Sequence, residues 1–264
     1  MKPVAAPSAD RHRARVVDEL RRLLPKMEGA ASIPMLPFGL PAVDAHLPNG
    51  GLVCGALHEI VPAGDSDTPA ALGFAVALTS LLPPSGLVLF VTSPHGLSHY
   101  GALHGHGLNS MGLDPARVTL VDTADDRQAC WAMEEALRST VPVAVIGAIE
   151  GLDLRASQRL QFAAADAGRP LLLLRPADIL GSSVAMTRWR IRAATSACDR
   201  FGYITGWRWG VRLERCRNGR PGEWFVEYDH AAHRFSLAAP LAHSSIHEGA
   251  SRQGAGRRAL RQAG

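Results

Sequence analysis

Apolar positions follow two patterns along the first two thirds of the chain. Short continuous apolar runs at Ala56–Val61, Leu87–Val91, Pro142–Ile149 and Pro170–Leu174 predict buried β-strands. Between these runs, apolar residues recur at helical spacing in residues 69–82, Gln128–Ser139 and Arg155–Ala167. Strands that alternate with amphipathic helices are typical of a parallel sheet covered on both faces. We therefore predict an α/β fold, a core of mostly parallel β-sheet flanked by helices.

The pattern changes after Met186, where helical periodicity gives way to β-rich segments. These segments are Trp189–Ile191, Val211–Cys216, Glu223–Tyr228 and His233–Leu237. Asn218-Gly219 is typical of a hairpin turn, and the following Arg-Pro-Gly makes this connection longer than two residues. The sheet is therefore expected to be extended by antiparallel C-terminal strands.

Both ends of the chain differ from this core. Residues Arg11–Met27 have the spacing of an amphipathic helix, with apolar residues Val16, Val17, Leu20, Leu23 and Leu24 and basic residues Arg11, Arg13, Arg15, Arg21 and Arg22. From Ala242 the sequence is polar and rich in Gly and Arg, which is typical of a disordered tail. We predict an N-terminal segment at 1–35, one folded domain at 36–241 and a basic tail at 242–264.

Composition narrows the cellular setting. A chain of 264 residues with 47% hydrophobic residues can form one sizeable core. It contains no apolar run of about 18 residues, so no membrane span is expected. The first residues lack the apolar stretch of a secretion signal, and the four cysteines form no C-x-x-C pair. We expect a cytoplasmic protein with reduced cysteines.

Positive charge is concentrated in the last third of the chain. Between Arg188 and Arg220 there are nine arginines and two acidic residues. Such a cluster favours contact with nucleic acid or with an acidic partner surface; the alternative is a solvated strand face. The candidate residues are Arg188, Arg190, Arg192, Arg208, Arg212, Arg215, Arg217 and Arg220, with Arg252, Arg257, Arg258 and Arg261 in the tail. Trp189, Trp207 and Trp209 could stack on bases, although such aromatics more often belong to the core.

The connection after the first apolar strand is the position at which a phosphate-binding loop would lie. The pattern G-x-x-x-x-G-K-[ST] falls on Val61–Thr68, where only Thr68 fits. Val61 and Ser66 occupy the glycine positions, and Asp67 occupies the lysine position. At a separation of ~4 Å and an effective dielectric constant of ~20, one unit-charge contact is worth about 4 kcal/mol, so this reversal opposes phosphate binding. Taken alone, the loop also fits an ordinary connection in which Thr68 caps the following helix.

The wider pattern resembles the RecA-type ATPase core. The carrying residues are Phe38–Asp44, Leu47–Leu52 and Gly55–Ile60, in that order. More specifically, the chain is similar to the ImuA family of RecA-like and SulA-like bacterial proteins. This similarity also rests on Leu171–Pro176, Thr187–Ile191 and Leu213–Gly222. The resemblance covers roughly residues 36–239.

This resemblance implies that four working positions of the ATPase are lost. Asp67 replaces the phosphate-binding lysine, and Pro94 stands where the catalytic glutamate would be. Gly147 lies near the metal-binding aspartate position, and Arg175 replaces the sensor glutamine. We therefore expect no catalytic residue, no nucleotide cofactor and no enzymatic activity.

The function implied by the resemblance is that of an accessory factor in DNA-damage-induced mutagenesis. Its expected partners are ImuB, an error-prone DnaE-type polymerase and RecA, with self-association or RecA contact through Arg11–Met27 and DNA contact limited to phosphates. One alternative is a SulA-like division inhibitor that binds FtsZ. Others are an active DNA-dependent ATPase and a plain DNA-binding module.

Metal and acid–base chemistry are weakly indicated. His95, His99, His104 and His106 lie in one Gly-rich stretch, but no cysteine or carboxylate completes a ligand set. Asp122, Asp125 and Asp126 fit a polar loop after the strand Val118–Val121. No bound metal is expected.

Overall fold

The computed structural model describes residues 34–97, 100–101, 103–139, 141–178, 183–198 and 200–238. The predicted helix Arg11–Met27 and the basic tail lie outside these residues. The helices are α1 (Pro41–Asp44), α2 (Thr68–Thr79), α3 (Pro94–Leu97), α4 (Gly105–Ser110), α5 (Asp126–Arg138) and α6 (Leu154–Ala167).

Two sheets contain all the strands in this part of the chain. The strands are β1 (Met35–Leu36), β2 (Leu52–Val53), β3 (Leu57–Pro62), β4 (Leu87–Thr92), β5 (Val118–Asp122), β6 (Pro142–Ala148), β7 (Leu171–Leu174), β8 (Thr187–Ala193), β9 (Ala197–Cys198), β10 (Ile204–Cys216), β11 (Gly222–Asp229) and β12 (Arg234–Leu237). β1 and β2 form a small antiparallel pair, and the others form the main sheet.

The main sheet has the order β12-β11-β10-β8-β3-β7-β6-β4-β5, and β9 pairs with the start of β10. Strands β8, β3, β7, β6, β4 and β5 are parallel, whereas β10, β11 and β12 continue the sheet in antiparallel fashion. Asn218, at a φ of 61°, lies in the turn between β10 and β11. The predicted α/β sheet with antiparallel C-terminal strands is therefore confirmed.

The core has one layer on each side of the sheet. On one face, α2 packs over an aromatic cluster in which the Phe38 and Trp189 rings are 5.4 Å apart and the Phe74 and Trp209 rings 5.7 Å apart. On the other face, α5 and α6 cover β3, β4, β6 and β7. Trp189 and Trp209 are fully or almost fully buried, so these two tryptophans belong to the core and cannot stack on bases.

Three helix starts differ from the prediction. α6 begins at Leu154, one residue earlier than expected, because the Asp153 carboxylate accepts a hydrogen bond from Ala156 N at 2.6 Å. α5 begins two residues earlier than expected, because the Asp125 carboxylate accepts a hydrogen bond from Gln128 N at 2.7 Å and acts as the N-cap. Thr68 is the first residue of α2 and not its cap; the N-cap is Asp67, whose side chain makes no capping bond. At its other end, α2 finishes at Thr79, and Ser80–Leu82 continue as hydrogen-bonded turns.

Candidate functional site

The carboxyl ends of β3, β7, β6 and β4 lie side by side at one edge of the parallel sheet. Ligands of open α/β sheets bind in the crevice outside this edge. The fold therefore brings together Arg175, Gly147, Pro94 and the loop after β3 that carries Ser66 and Asp67, here called the degenerate loop.

The loop after β3 is shorter than the phosphate-loop pattern requires, because Val61, the first position of that pattern, belongs to the strand. Val61 is fully buried in β3. The Ala63 amide donates to the Ile191 carbonyl at 2.7 Å, and the Asp67 amide donates to the Gly64 carbonyl at 2.9 Å. Phosphate loops bind their ligand through free backbone amides at a helix N-terminus. Two of the amides in this loop are already bonded within the protein.

Asp67 has a structural partner of its own. Its Oδ1 atom accepts a hydrogen bond from the Ala193 amide at 2.8 Å, which joins the loop to the last residue of β8. The residue in the lysine position therefore holds two backbone segments together. Its negative charge also lies directly before the first turn of α2.

Tyr100 lies across the same loop. Its hydroxyl donates to the Asp65 carbonyl, and its side chain remains 42% exposed. This contact joins the segment after α3 to the loop after β3. This contact is not predictable from the sequence, because Tyr100 lies 35 positions from Asp65 in a Gly- and His-rich stretch without a regular pattern.

Asp126 organises the connections after β4 and β6. It accepts hydrogen bonds from Ser93 Oγ at 2.5 Å and from the Gly151 amide at 2.6 Å. The Asp126 carboxylate therefore holds the connections after β4 and β6 together. Pro94, which starts α3 beside Ser93, has no ionisable side-chain group and cannot act as a base.

Gly147 packs closely against side chains of α5 and β7. A Cβ atom on it would overlap the Met133 Sδ atom and lie 2.8 Å from Leu173 Cδ1. A carboxylate side chain here would have to displace both of these buried side chains.

Arg175 belongs to a buried group of charges below the edge. It is 6% exposed, and its Nε and Nη1 atoms have no hydrogen-bond partner among the described residues. Burial lowers the pKa of the Arg175 guanidinium, and the charges of Glu59 and Asp126 oppose this shift. Glu59 is fully buried, and its Oε2 accepts from Arg188 Nε at 2.8 Å. Arg188 thus compensates the charge of Glu59 inside the protein.

The arginines of the antiparallel strands are largely paired. On the same side of the sheet as α5 and α6, beyond the strands that these helices cover, the ion pairs are Arg190–Glu214 at 2.5 Å, Arg208–Glu227 at 2.8 Å and Arg192–Glu223 at 3.6 Å. The Arg192 guanidinium also lies 4.7 Å from the centre of the Phe225 ring, above Gly210. This face therefore carries both arginine and glutamate side chains and is less basic than the local sequence suggests.

The remaining candidate arginines are spread out. Arg215 Nη1 donates to the Ser183 carbonyl, whereas Arg212, Arg217 and Arg220 are exposed and form no ion pair with another described residue. Residues proposed for partner contact at the chain ends lie outside the described part: Arg11, Arg13, Leu20, Leu23, Leu24, Arg252, Arg257, Arg258 and Arg261.

The described residues contain no group of three or more His, Cys, Asp or Glu side chains that could hold a metal ion. The rings of His104 and His106 stack at 5.3 Å, while His99 and the side chain of His95 are not described. Within the same residues, no helix is long and apolar enough to cross a membrane.

Comparison with known proteins agrees with the resemblance in the sequence. The chain is 34% identical over 233 residues to protein ImuA of Caulobacter vibrioides, in strains NA1000 / CB15N and CB 15. The alignment covers 81% of this chain and 92% of each relative. No protein-family model matches. Identity at this level over most of both chains shows that this chain belongs to the ImuA family.

Proposed function

We propose that this chain is a non-catalytic accessory factor in DNA-damage-induced mutagenesis. It acts with ImuB and an error-prone DnaE-type polymerase, and it contacts RecA. Membership of the ImuA family supports the biological setting. The observation that carries the non-catalytic part is the loop after β3, where Asp67 is bonded to the end of β8.

Several positions along the edge of the sheet lack the groups that an ATPase needs. Val61 is a buried strand residue, and Asp67 presents negative charge where a phosphate would need positive charge. Pro94 cannot act as a base, and Gly147 lies against Met133. A protein that retains this fold without these groups acts by binding partners.

The pairing of arginines favours protein partners over DNA. Binding to a nucleic-acid backbone depends on cations that are free to replace counterions. Four candidate arginines are already held by Glu59, Glu214, Glu223 and Glu227. Partner contact through this region therefore relies on the exposed residues Arg212, Arg217 and Arg220.

Genetic complementation tests the proposal. In a strain that lacks its own copy of this gene, the wild-type chain and a Thr68→Ala variant should restore ultraviolet-induced mutation to the same frequency. Thr68 is the one residue that fits the phosphate-loop pattern, so loss of mutagenesis in this variant together with loss of ATP turnover would contradict a non-catalytic role.

A second experiment separates the mutagenesis role from cell-division control. The tagged chain should retain ImuB, and not FtsZ, when each is mixed with it as a purified protein. Retention of FtsZ without ImuB would instead favour a SulA-like division inhibitor.

A further inference from the structure

A large apolar groove lies beside the degenerate loop. It has a volume of about 540 Å³ and is bordered by α2 from Thr68 to Val76, by described residues between Leu97 and Met111, and by the connections around β9. Its lining is mainly apolar and includes Leu72, Val76, Leu103, Leu108, Met111 and Trp207. Grooves of this kind receive apolar side chains.

The charges around the groove select against an anionic occupant. Arg208 lines it, but its guanidinium is paired with Glu227 at 2.8 Å. The other ionisable residues in the lining, among those described, are His104 and Tyr100, whose hydroxyl donates to the Asp65 carbonyl. At the loop end, Ser66 and Thr68 line the groove, and their chain neighbours Asp65 and Asp67 place two negative charges beside it, with the Asp67 carboxylate also accepting from the Ala193 amide. The preferred occupant is an apolar segment flanked by positive charge.

The chain itself contains such a segment. Arg11–Met27 has apolar residues at helical spacing and five arginines between positions 11 and 22. The part of α2 that lines the groove, from Thr68 to Val76, spans ~12 Å at the rise of an α-helix. Val17, Leu20 and Leu24 would span ~10 Å along a helix, so three consecutive anchors match the length of the groove.

Residues 28–33 connect the segment Arg11–Met27 to the described chain and are long enough for the segment to reach the groove. The Pro34 carbonyl accepts from the Cys54 amide at 2.9 Å, which places the start of the described chain near the amino end of β3. The groove adjoins the loop at the carboxyl end of β3, ~20 Å away along a strand of six residues. Residues 28–33 reach ~20 Å when extended.

We propose that the segment Arg11–Met27 docks into this groove of its own chain. Val17, Leu20 and Leu24 enter the apolar floor, and the arginines lie toward Asp65 and Asp67. The groove is therefore covered in the free protein, and a partner that binds it must displace the segment. This inference concerns the free chain and does not depend on its role in mutagenesis.

Hydrogen exchange of the full chain, read by mass spectrometry, tests the docking. An Ala70→Arg variant places a long cation at the groove wall, and an Ala165→Arg variant places the same side chain on the exposed surface of α6 as a control. Amides 16–24 should exchange about tenfold faster or more in Ala70→Arg than in the wild type, and at the wild-type rate in Ala165→Arg. Equal exchange of these amides in all three proteins would overturn the proposal.

A substitution in the segment covers the case in which Ala70→Arg fails to fold. Leu20→Asp, a change outside the described residues, should speed exchange of amides 103–111 at the groove wall and leave α6 unchanged. No change at residues 103–111 would overturn the proposal. Protection of residues 16–24 should also persist on hundredfold dilution, and its loss on dilution would assign the groove to a second copy.

Discussion

Asp67 offers a direct test of how the loop after β3 is held together. Its Oδ1 atom accepts from the Ala193 amide at 2.8 Å, and the residue is half-buried. A hydrogen bond to a charged group contributes about 1.5–3 kcal/mol, and partial exposure places this one near the lower limit. Asp67→Ala should therefore lower the free energy of unfolding by about 1.5–2 kcal/mol. Asp67→Asn keeps a neutral acceptor and should lower it by only about 0.5–1 kcal/mol.

Urea unfolding followed by circular dichroism measures these differences, and the slope with denaturant should stay constant. Asp67→Lys restores the phosphate-loop lysine but removes the acceptor, so it should lose as much stability as Asp67→Ala. It should also fail to bind ATP, because Val61 remains in the strand, Ser66 has a side chain and Tyr100 lies across the loop. Wild-type stability in Asp67→Ala, or ATP binding by Asp67→Lys, would refute this reasoning.

Three further predictions concern buried groups. Glu59→Gln keeps a neutral acceptor but removes the charge that compensates Arg188, and it should lower the free energy of unfolding by about 3 kcal/mol. Glu59→Leu combined with Arg188→Met should lower it less in the same urea assay. Burial lowers the pKa of His58 from 6.5 to about 4, so the free energy of unfolding should fall by about 3 kcal/mol as the pH drops from 6.5 to 4. A His58→Asn protein whose free energy of unfolding keeps the same dependence on pH would contradict the role of His58. Gly147→Ala should cost about 1–3 kcal/mol through overlap with Met133, and an unchanged melting temperature would show that the packing is looser than described.

The elements of the parallel core could be predicted because each one depends on local sequence. Continuous apolar runs such as Leu87–Val91 become strands buried on both faces, and α5 and α6 follow the spacing of their apolar residues. The first residue of a helix is harder to predict than its length or type, because it depends on the hydrogen bond of one capping side chain. Asp125 caps α5, whereas Asp67 uses its carboxylate on a distant strand.

The electrostatics of the site could not be predicted from local sequence. Between positions 188 and 220 arginines far outnumber acidic residues, which suggested a free basic surface. The carboxylates that pair with Arg188, Arg192 and Arg208 come from β3 and β11, outside that window. Glu59 and Arg188 are 129 positions apart. Such pairs become visible only once the strand order is known.

We infer that this edge of the sheet does not bind nucleotide. Isothermal titration calorimetry of the wild-type chain with ATP and Mg²⁺ measures such binding. We expect no saturable heat up to millimolar ATP. Saturable binding that disappears in Thr68→Ala would contradict it.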